Sequence, residues 1–156
     1  MRSGFHLGAV GRIRAVDGRD LAQVWVHRLV FLLDTSTLIS ANLFPNRLGK
    51  YTRNLIRRSP DIFFSAVSVF EIVAKQMKGK LNLGKSVYEF LAELDARSLP
   101  LRVEDAAEVY SFPSLIKHDP FDRLILATTK AHSAKLITSD QKLLDLGFDW
   151  ILDSTI

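Results

Sequence analysis

VFLLDTSTLIS, residues 30–40, decides the fold. Val30 to Leu33 run without a polar break and stop at Asp34. A short strand that is apolar on both faces belongs inside a sheet covered on both sides. TSTLISANLF then reads as a helix ended by Pro45-Asn46. The alternation repeats outward. Lys50 to Arg58 fits a short amphipathic helix, stopped by Ser59-Pro60-Asp61. IFF, residues 62–64, is a second strand, and Val67, Phe70, Ala74 and Met77 recur at helical spacing over 67–78, with Gly79 as the stop. A helix over 84–96 carries Val87, Phe90, Leu91 and Leu94 on one stripe. Further along, the pattern predicts a strand over 99–103 and helices over 104–112 and 120–132. KLIT, 135–138, is a strand, Asp140 opens a short helix closed by Gly147, and FDWIL, 148–152, is a last strand. Strands alternating with helices imply an α/β fold, a mostly parallel central sheet between two helical layers.

A chain of 156 residues fits one such domain, and 47% hydrophobic with 24% charged residues is an ordinary globular composition. The absence of cysteine excludes disulfides, iron–sulfur clusters, thiolate zinc and cysteine nucleophiles. The apolar run VWVHRLVFLL is interrupted by His27 and Arg28 and is too short to span a membrane, so the expectation is a cytoplasmic protein with no membrane partner. Residues 1–29 fit the alternation less well and are set apart as an N-terminal extension, with the domain proper at 30–156. Asp17-Gly18 reads either as a hairpin turn or as part of a loosely attached arm. One expectation is that the biological start lies near Leu29 or Val30, which mass spectrometry of the native N-terminus decides.

The formal net charge is +4 and unevenly spread. No acid falls between Asp34 and Asp61, a gap that holds Arg47, Lys50, Arg53, Arg57 and Arg58. Lys50, Arg53 and Arg57 share one helix face, where a polyanion such as RNA is attracted; a plain solvated helix face is the other reading of the same charges.

Acids mark the strand ends. Ligands of open α/β sheets bind at the carboxyl ends of the strands. Asp34 ends the first strand, Asp140 follows KLIT by two residues, Glu71 lies in the helix after the second strand, and Asp122 lies in the first turn of the helix before KLIT. Each has a structural explanation: Asp119 as an N-cap before Pro120, Asp122 completing a capping box, Asp140 as another N-cap, and Glu71 paired with Lys75 one turn on. Asp34 resists such an explanation, because a charge at the end of a buried strand is expensive. If the four gather, their repulsion, ~4 kcal/mol for a pair ~4 Å apart at an effective dielectric of about 20, calls for a counter-charge. Oxygen-only donors suit Mg2+ or Mn2+, which activate water and clamp phosphate. Other chemistries lack their motifs: there is no G-x-S-x-G, no phosphate-loop lysine, and no H-E-x-x-H spacing among His6, His27, His118 and His132. A receiver-like phosphoacceptor shares the layout but needs an adjacent acid pair after an early strand, which is missing.

Four stretches carry a resemblance. LLDTSTLISA, SVFEIVAKQMKGKLNL, HDPFDRLILA and LITSDQKLL, in this order, resemble the PIN-domain nucleases, and most closely the VapC-type toxins of toxin–antitoxin pairs. The resemblance covers about residues 30–153 and implies a PIN-like three-layer α/β/α fold. It implies a Mg2+- or Mn2+-dependent endoribonuclease toxin that hydrolyses an RNA phosphodiester with activated water, leaving a 5′-phosphate and a 3′-hydroxyl. The metal-site and catalytic roles fall on Asp34, Glu71, Asp122 and Asp140. Asp119 becomes a cap or supporting acid, and Thr35, Ser36, Lys75, Thr138 and Ser139 stand beside the acids to orient water, carboxylates or substrate. A cognate antitoxin and a homodimer are the partners it implies. The alternative is a PIN-like protein that binds RNA or a partner without cutting. The N-terminal extension departs from the family pattern. The sequence names neither the RNA, nor the cleavage site, nor the number of metals.

Overall fold

The computed structural model describes residues 29–156. Residues 1–28, with Asp17-Gly18 and its two readings, lie outside the described residues. Five strands, β1 (Phe31–Leu33), β2 (Ile62–Ser65), β3 (Arg97–Leu99), β4 (Lys135–Thr138) and β5 (Ile151–Asp153), form one sheet in the order β3-β2-β1-β4-β5. Every pairing is parallel, with Leu32 opposite both Phe63 and Leu136. The chain first builds outward from β1 to β3, then returns to the other side of β1 for β4 and β5. The strand order therefore reverses between β1 and β4, and the crevice at their carboxyl ends is where such sheets hold ligands.

Alternation along the strands divides the core in two. Leu32, Phe63 and Leu136 face one layer, where they meet Ile125 and Leu126 of α6 (Pro120–Ala131), together with Phe112, Leu115 and Leu143. Phe31, Leu33, Ile62, Phe64 and Ile137 face the other, where they meet Leu38 of α1 (Thr35–Leu43), Ile72 of α3 (Ala66–Met77) and Phe90 of α4 (Val87–Ala92). Leu55 and Ile56 of α2 (Lys50–Arg58) pack against the same side. Two short helices, α5 (Val103–Ala107) and α7 (Gln141–Leu144), complete the set. The central strands are buried on both faces, as their unbroken apolar sequences require.

The outer elements depart from the sequence reading. The helix expected over 84–96 is only α4, because Ser86 and Glu89 form a reciprocal capping box that fixes its start, while Gly84 takes a left-handed φ of +67° outside it. The third strand sits at 97–99, not 99–103: the Arg97–Asp61 ion pair at 2.7 Å fastens it beside β2, and Pro100 follows. The helix expected over 104–112 is α5 followed by a tighter turn at Glu108–Ser111. The last strand begins at Ile151: the rings of Phe148 and Trp150 stack on each other at 5.0 Å and pack around Phe112, although the Trp150 carbonyl already accepts the Leu136 N–H of β4 at 2.8 Å. Among the described residues, no helix is long and apolar enough to cross a membrane.

Candidate active site

Asp34 stands where β1 gives way to α1, and it is that helix's N-cap. Its Oδ1 accepts the Thr37 N–H at 2.7 Å. The Ser36 hydroxyl donates to both carboxylate oxygens, at 3.1 and 3.0 Å, and the Thr138 hydroxyl donates to Oδ2 at 2.5 Å. Thr138 also accepts the Asp140 N–H at 2.9 Å, so one hydroxyl ties the end of β4 to both acids. Ser139 joins through Ser36, hydroxyl to hydroxyl at 3.0 Å. Asp34 is only 5% exposed and pairs with no described cation. Burial raises its pKa above the usual carboxylate value, against the pull of the bonds from Thr138, Thr37 and Ser36. Asp140 is half-buried and caps α7 by accepting the Lys142 N–H at 2.8 Å.

Asp122 occupies the first turn of α6. Asp119 caps that helix through the Phe121 N–H at 2.8 Å, with Pro120 as the first helical residue. The expected capping box is not closed: the Asp122 carboxylate makes no hydrogen bond or ion pair with a described residue. Its pKa is pushed up to about 6, first by burial and then by the charges of Asp119, Asp140, Glu71 and Asp34. The four acids therefore lie in one electrostatic neighbourhood, centred on Asp122. Glu71, on α3, is held by Lys75 one turn later at 2.7 Å. Phe70 and Phe121, the residues just before Glu71 and Asp122, meet at 5.6 Å between ring centroids and bring α3 and α6 together beside the acids.

All-oxygen donors, an unbonded Asp122 carboxylate and a field of uncompensated negative charge fit a hard divalent cation. The fit is incomplete in one respect: among the described residues, no three Asp, Glu or His side chains lie close enough together to form a ready-made cage. Asp34 is occupied by hydroxyls and Glu71 by Lys75.

Of the supporting residues read from sequence, Ser36, Thr138 and Lys75 touch the acids, and Ser139 reaches them only through Ser36. Thr35 is buried with its hydroxyl unpartnered. Arg53 and Arg57 line a cavity of about 280 Å³ with Pro45, Ile56 and Leu94, apart from the acids, and the Arg53 guanidinium donates to the Leu48 carbonyl. Lys50 begins α2 and is exposed. The cavity that does adjoin the acids, about 390 Å³, is lined instead by Arg47 and Lys75 with Ser36 and Ser139. Two features were missed in the sequence: the N-cap role of Asp34, whose signal was an aspartate immediately before a helix, and the Phe70–Phe121 contact, which leaves no local trace.

A parallel sheet with acids at its switch point defines an α/β protein with an acidic candidate site. The PIN domain family matches residues 31–149, and the chain belongs to that family. It is similar to Ribonuclease VapC22 of Mycobacterium tuberculosis (strain ATCC 25618 / H37Rv), 29% identical over 114 residues, covering 72% of this chain and 88% of that one. Among solved structures it resembles VapBC-1 of nontypeable Haemophilus influenzae, with TM-score 0.62 and 22% identity over 82% of this chain and all (100%) of the other. It also resembles DNA-bound VapBC of Salmonella typhimurium, with TM-score 0.60 and 15% identity over 81% and 98% of the two chains.

Proposed function

We propose that this chain is an endoribonuclease of the VapC type, the toxin of a toxin–antitoxin pair, cutting RNA phosphodiesters with a divalent cation, Mg2+ or Mn2+. The observation that carries the reading is Asp34: a buried carboxylate at the switch point, held by three hydroxyl or N–H donors and by no described cation, and one of the acids whose charge reaches Asp122. The similarity to a protein named a ribonuclease supports the reaction class. The cation, held by Asp34, Asp122, Asp140 and Glu71, would supply Lewis acidity toward water and phosphate.

The chain's own groups do the positioning. Thr138, Ser36 and the Thr37 N–H hold the Asp34 carboxylate in a single orientation, which keeps its oxygens from turning toward the core. Asp122 is the acid left free to take up a ligand or a proton. Lys75 neutralises Glu71 and sits on the cavity where a phosphate chain approaches. Asp119 stays with its helix cap.

The names of the structural neighbours, VapBC complexes, support a cognate antitoxin as partner. A homodimer is part of the same proposal, and light scattering of the purified protein tests it. Asp34→Asn and Asp122→Asn are expected to abolish cleavage in folded protein, and EDTA to stop the wild type until Mg2+ or Mn2+ is restored. Cleavage retained by either purified variant overturns the reading. The absence of a ready-made cage, with Glu71 engaged by Lys75, favours the second reading, a PIN-like protein that binds RNA or a partner without cutting. Wild-type protein that binds RNA yet leaves it intact in Mn2+ would establish that reading instead.

A further inference from the structure

The cavity beside the acids is chemically unlike the acids themselves. Its charged walls are Arg47 and Lys75, no carboxylate lines it, and the rest of its polar lining is hydroxyl, from Ser36, Ser139, Ser154 and Thr155 among others. Its volume of about 390 Å³ lies in the range of small-ligand sites. Three of its lining side chains lead to the acids: Ser36 touches Asp34, Ser139 touches Ser36, and Lys75 touches Glu71.

Two of its groups have spare bonding capacity. Ser154 is fully buried, at 0% exposure, and its hydroxyl has no partner, although a buried hydroxyl left unsatisfied costs about 1–3 kcal/mol. The backbone around it is fixed: its N–H donates to the Thr138 carbonyl at 2.7 Å, and its carbonyl accepts the Gly49 N–H at 2.9 Å. The segment that carries the hydroxyl is thus held rigidly beside Thr138, the residue that holds Asp34. Arg47 lies 4.3 Å over the Phe44 ring and makes no ion pair with a described acid. A guanidinium positioned by an aromatic face and free of carboxylates is suited to phosphate.

We propose that this cavity is a nucleotide subsite: it receives the ribonucleotide next to the scissile phosphodiester, with Arg47 on the phosphate and the Ser154 hydroxyl turning from its buried, unpartnered position to bond the sugar or base. The inference rests on reading the acidic cluster as an RNA-cleaving site, and adds to it the groups that place the strand. A mixed cationic and hydroxyl lining fits one phosphate and the donors and acceptors of one nucleoside, including the 2′-hydroxyl that separates RNA from DNA. Arg53 and Arg57, across Leu48 on the neighbouring cavity, are not part of this subsite.

The test measures binding of a short fluorescein-labelled oligoribonucleotide by anisotropy, and cleavage of the same oligonucleotide, for the full chain and for Arg47→Ala, Ser154→Val and the control Arg58→Ala. Arg47→Ala is expected to weaken binding about tenfold and to flatten the log–log salt dependence by about one unit. Ser154→Val is expected to raise KM about fivefold with kcat little changed, since the lost contact positions substrate rather than reacting atoms. Uridine 5′-monophosphate, titrated into the wild type, is expected to shift the amide resonances of Ser154 and Thr155. Circular dichroism confirms that each variant is folded; if Ser154→Val is not, the nucleotide titration of the wild type decides that residue. Wild-type binding and KM in Arg47→Ala, or an effect no larger than that of Arg58→Ala, together with unmoved amides, overturns the subsite even if the protein cuts RNA. Arg47-dependent binding by a protein that never cuts RNA would sustain the subsite and sink the cleavage reading alone.

Discussion

Asp34, Asp61 and Asp105 are the buried acids among the described residues, and they are stabilised in two different ways. Asp105, at 0% exposure, meets the Arg102 guanidinium at 2.8 Å and His132 Nε2 at 3.0 Å, and also accepts the Arg102 backbone N–H at 2.9 Å. Burial alone would raise its pKa, but the Arg102 and His132 contacts outweigh it and hold the carboxyl below its usual value. Asp61 pairs with Arg97 at 2.7 Å, and Arg97 in turn lies 4.5 Å over the Phe63 ring. Both fasten structure, α5 to the end of α6 and β2 to β3. Asp34 has only hydroxyls and one N–H, and its pKa is raised. Among the described residues, the fold supplies a cation to Asp61 and Asp105 and none to Asp34. The contrast separates acids that hold the molecule together from the acid to which the proposal assigns catalysis, a distinction residue type alone does not make.

The largest expected effect breaks the contrast at its active end. Asp34→Asn keeps the N-cap acceptor and the shape but removes the charge; cleavage of RNA is expected to fall by about a hundredfold or more, while thermal unfolding stays cooperative. Near-normal cleavage would place Asp34 with the structural acids. At the other end, Asp105→Ala leaves Arg102 and His132 without their buried partner. Urea unfolding is expected to show a loss of about 3 kcal/mol, in the range for breaking a buried ion pair.

Asp122→Asn sharpens the same comparison through pH. The native Asp122 pKa of about 6 lies above its unfolded reference of 3.8, so the native state binds that proton more tightly. The Asp122 contribution to stability is therefore fully present below the reference value and is lost as pH rises through about 6. In EDTA at neutral pH, Asp122→Asn is expected to be more stable than wild type by about 1 kcal/mol, since solvent screens this half-exposed carboxylate, the difference fading toward pH 4. Saturating Mg2+ should remove that advantage. A variant less stable at neutral pH would mean that the charged carboxylate has a partner in the protein after all.

Two smaller effects follow. An added Cβ at Gly49 would fall 2.0 Å from the Ile156 backbone oxygen, so Gly49→Ala must displace the 154–156 segment. A cost of about 1–3 kcal/mol in denaturant unfolding is expected, the usual range for overpacking. Thr138→Val removes one donor from Asp34 and one acceptor from the Asp140 N–H; about 1–2 kcal/mol is expected by the same measurement, with weaker Mg2+ binding by calorimetry.

Much of the centre was legible in the residues. VFLL and KLIT became β1 and β4, and Lys50 to Arg58 became α2 with the expected bounds. Their apolar runs and caps are local signals strong enough to decide local structure. Legibility faded toward the edge, where β3 and β5 are short and depend on partners distant in sequence, Asp61 for one and the Phe112 aromatic cluster for the other. At the candidate site the four acids were visible as acids at strand and helix ends. Their partners were not: nothing near Asp34 in sequence announces Thr138, which is 104 positions away.

The sequence by itself determined the α/β alternation, the family, and which carboxylates stand at the ends of elements, because hydrophobic periodicity and helix caps act over a few neighbouring residues. Only the tertiary structure decided which buried acids receive a described cation and which do not, that Arg47 rather than Arg53 or Arg57 shares a cavity with Ser36 and Lys75, the partners of Asp34 and Glu71, and that the Ser154 hydroxyl is left without a partner. Those outcomes depend on burial and on contacts between segments that meet only when the sheet reverses its strand order between β1 and β4.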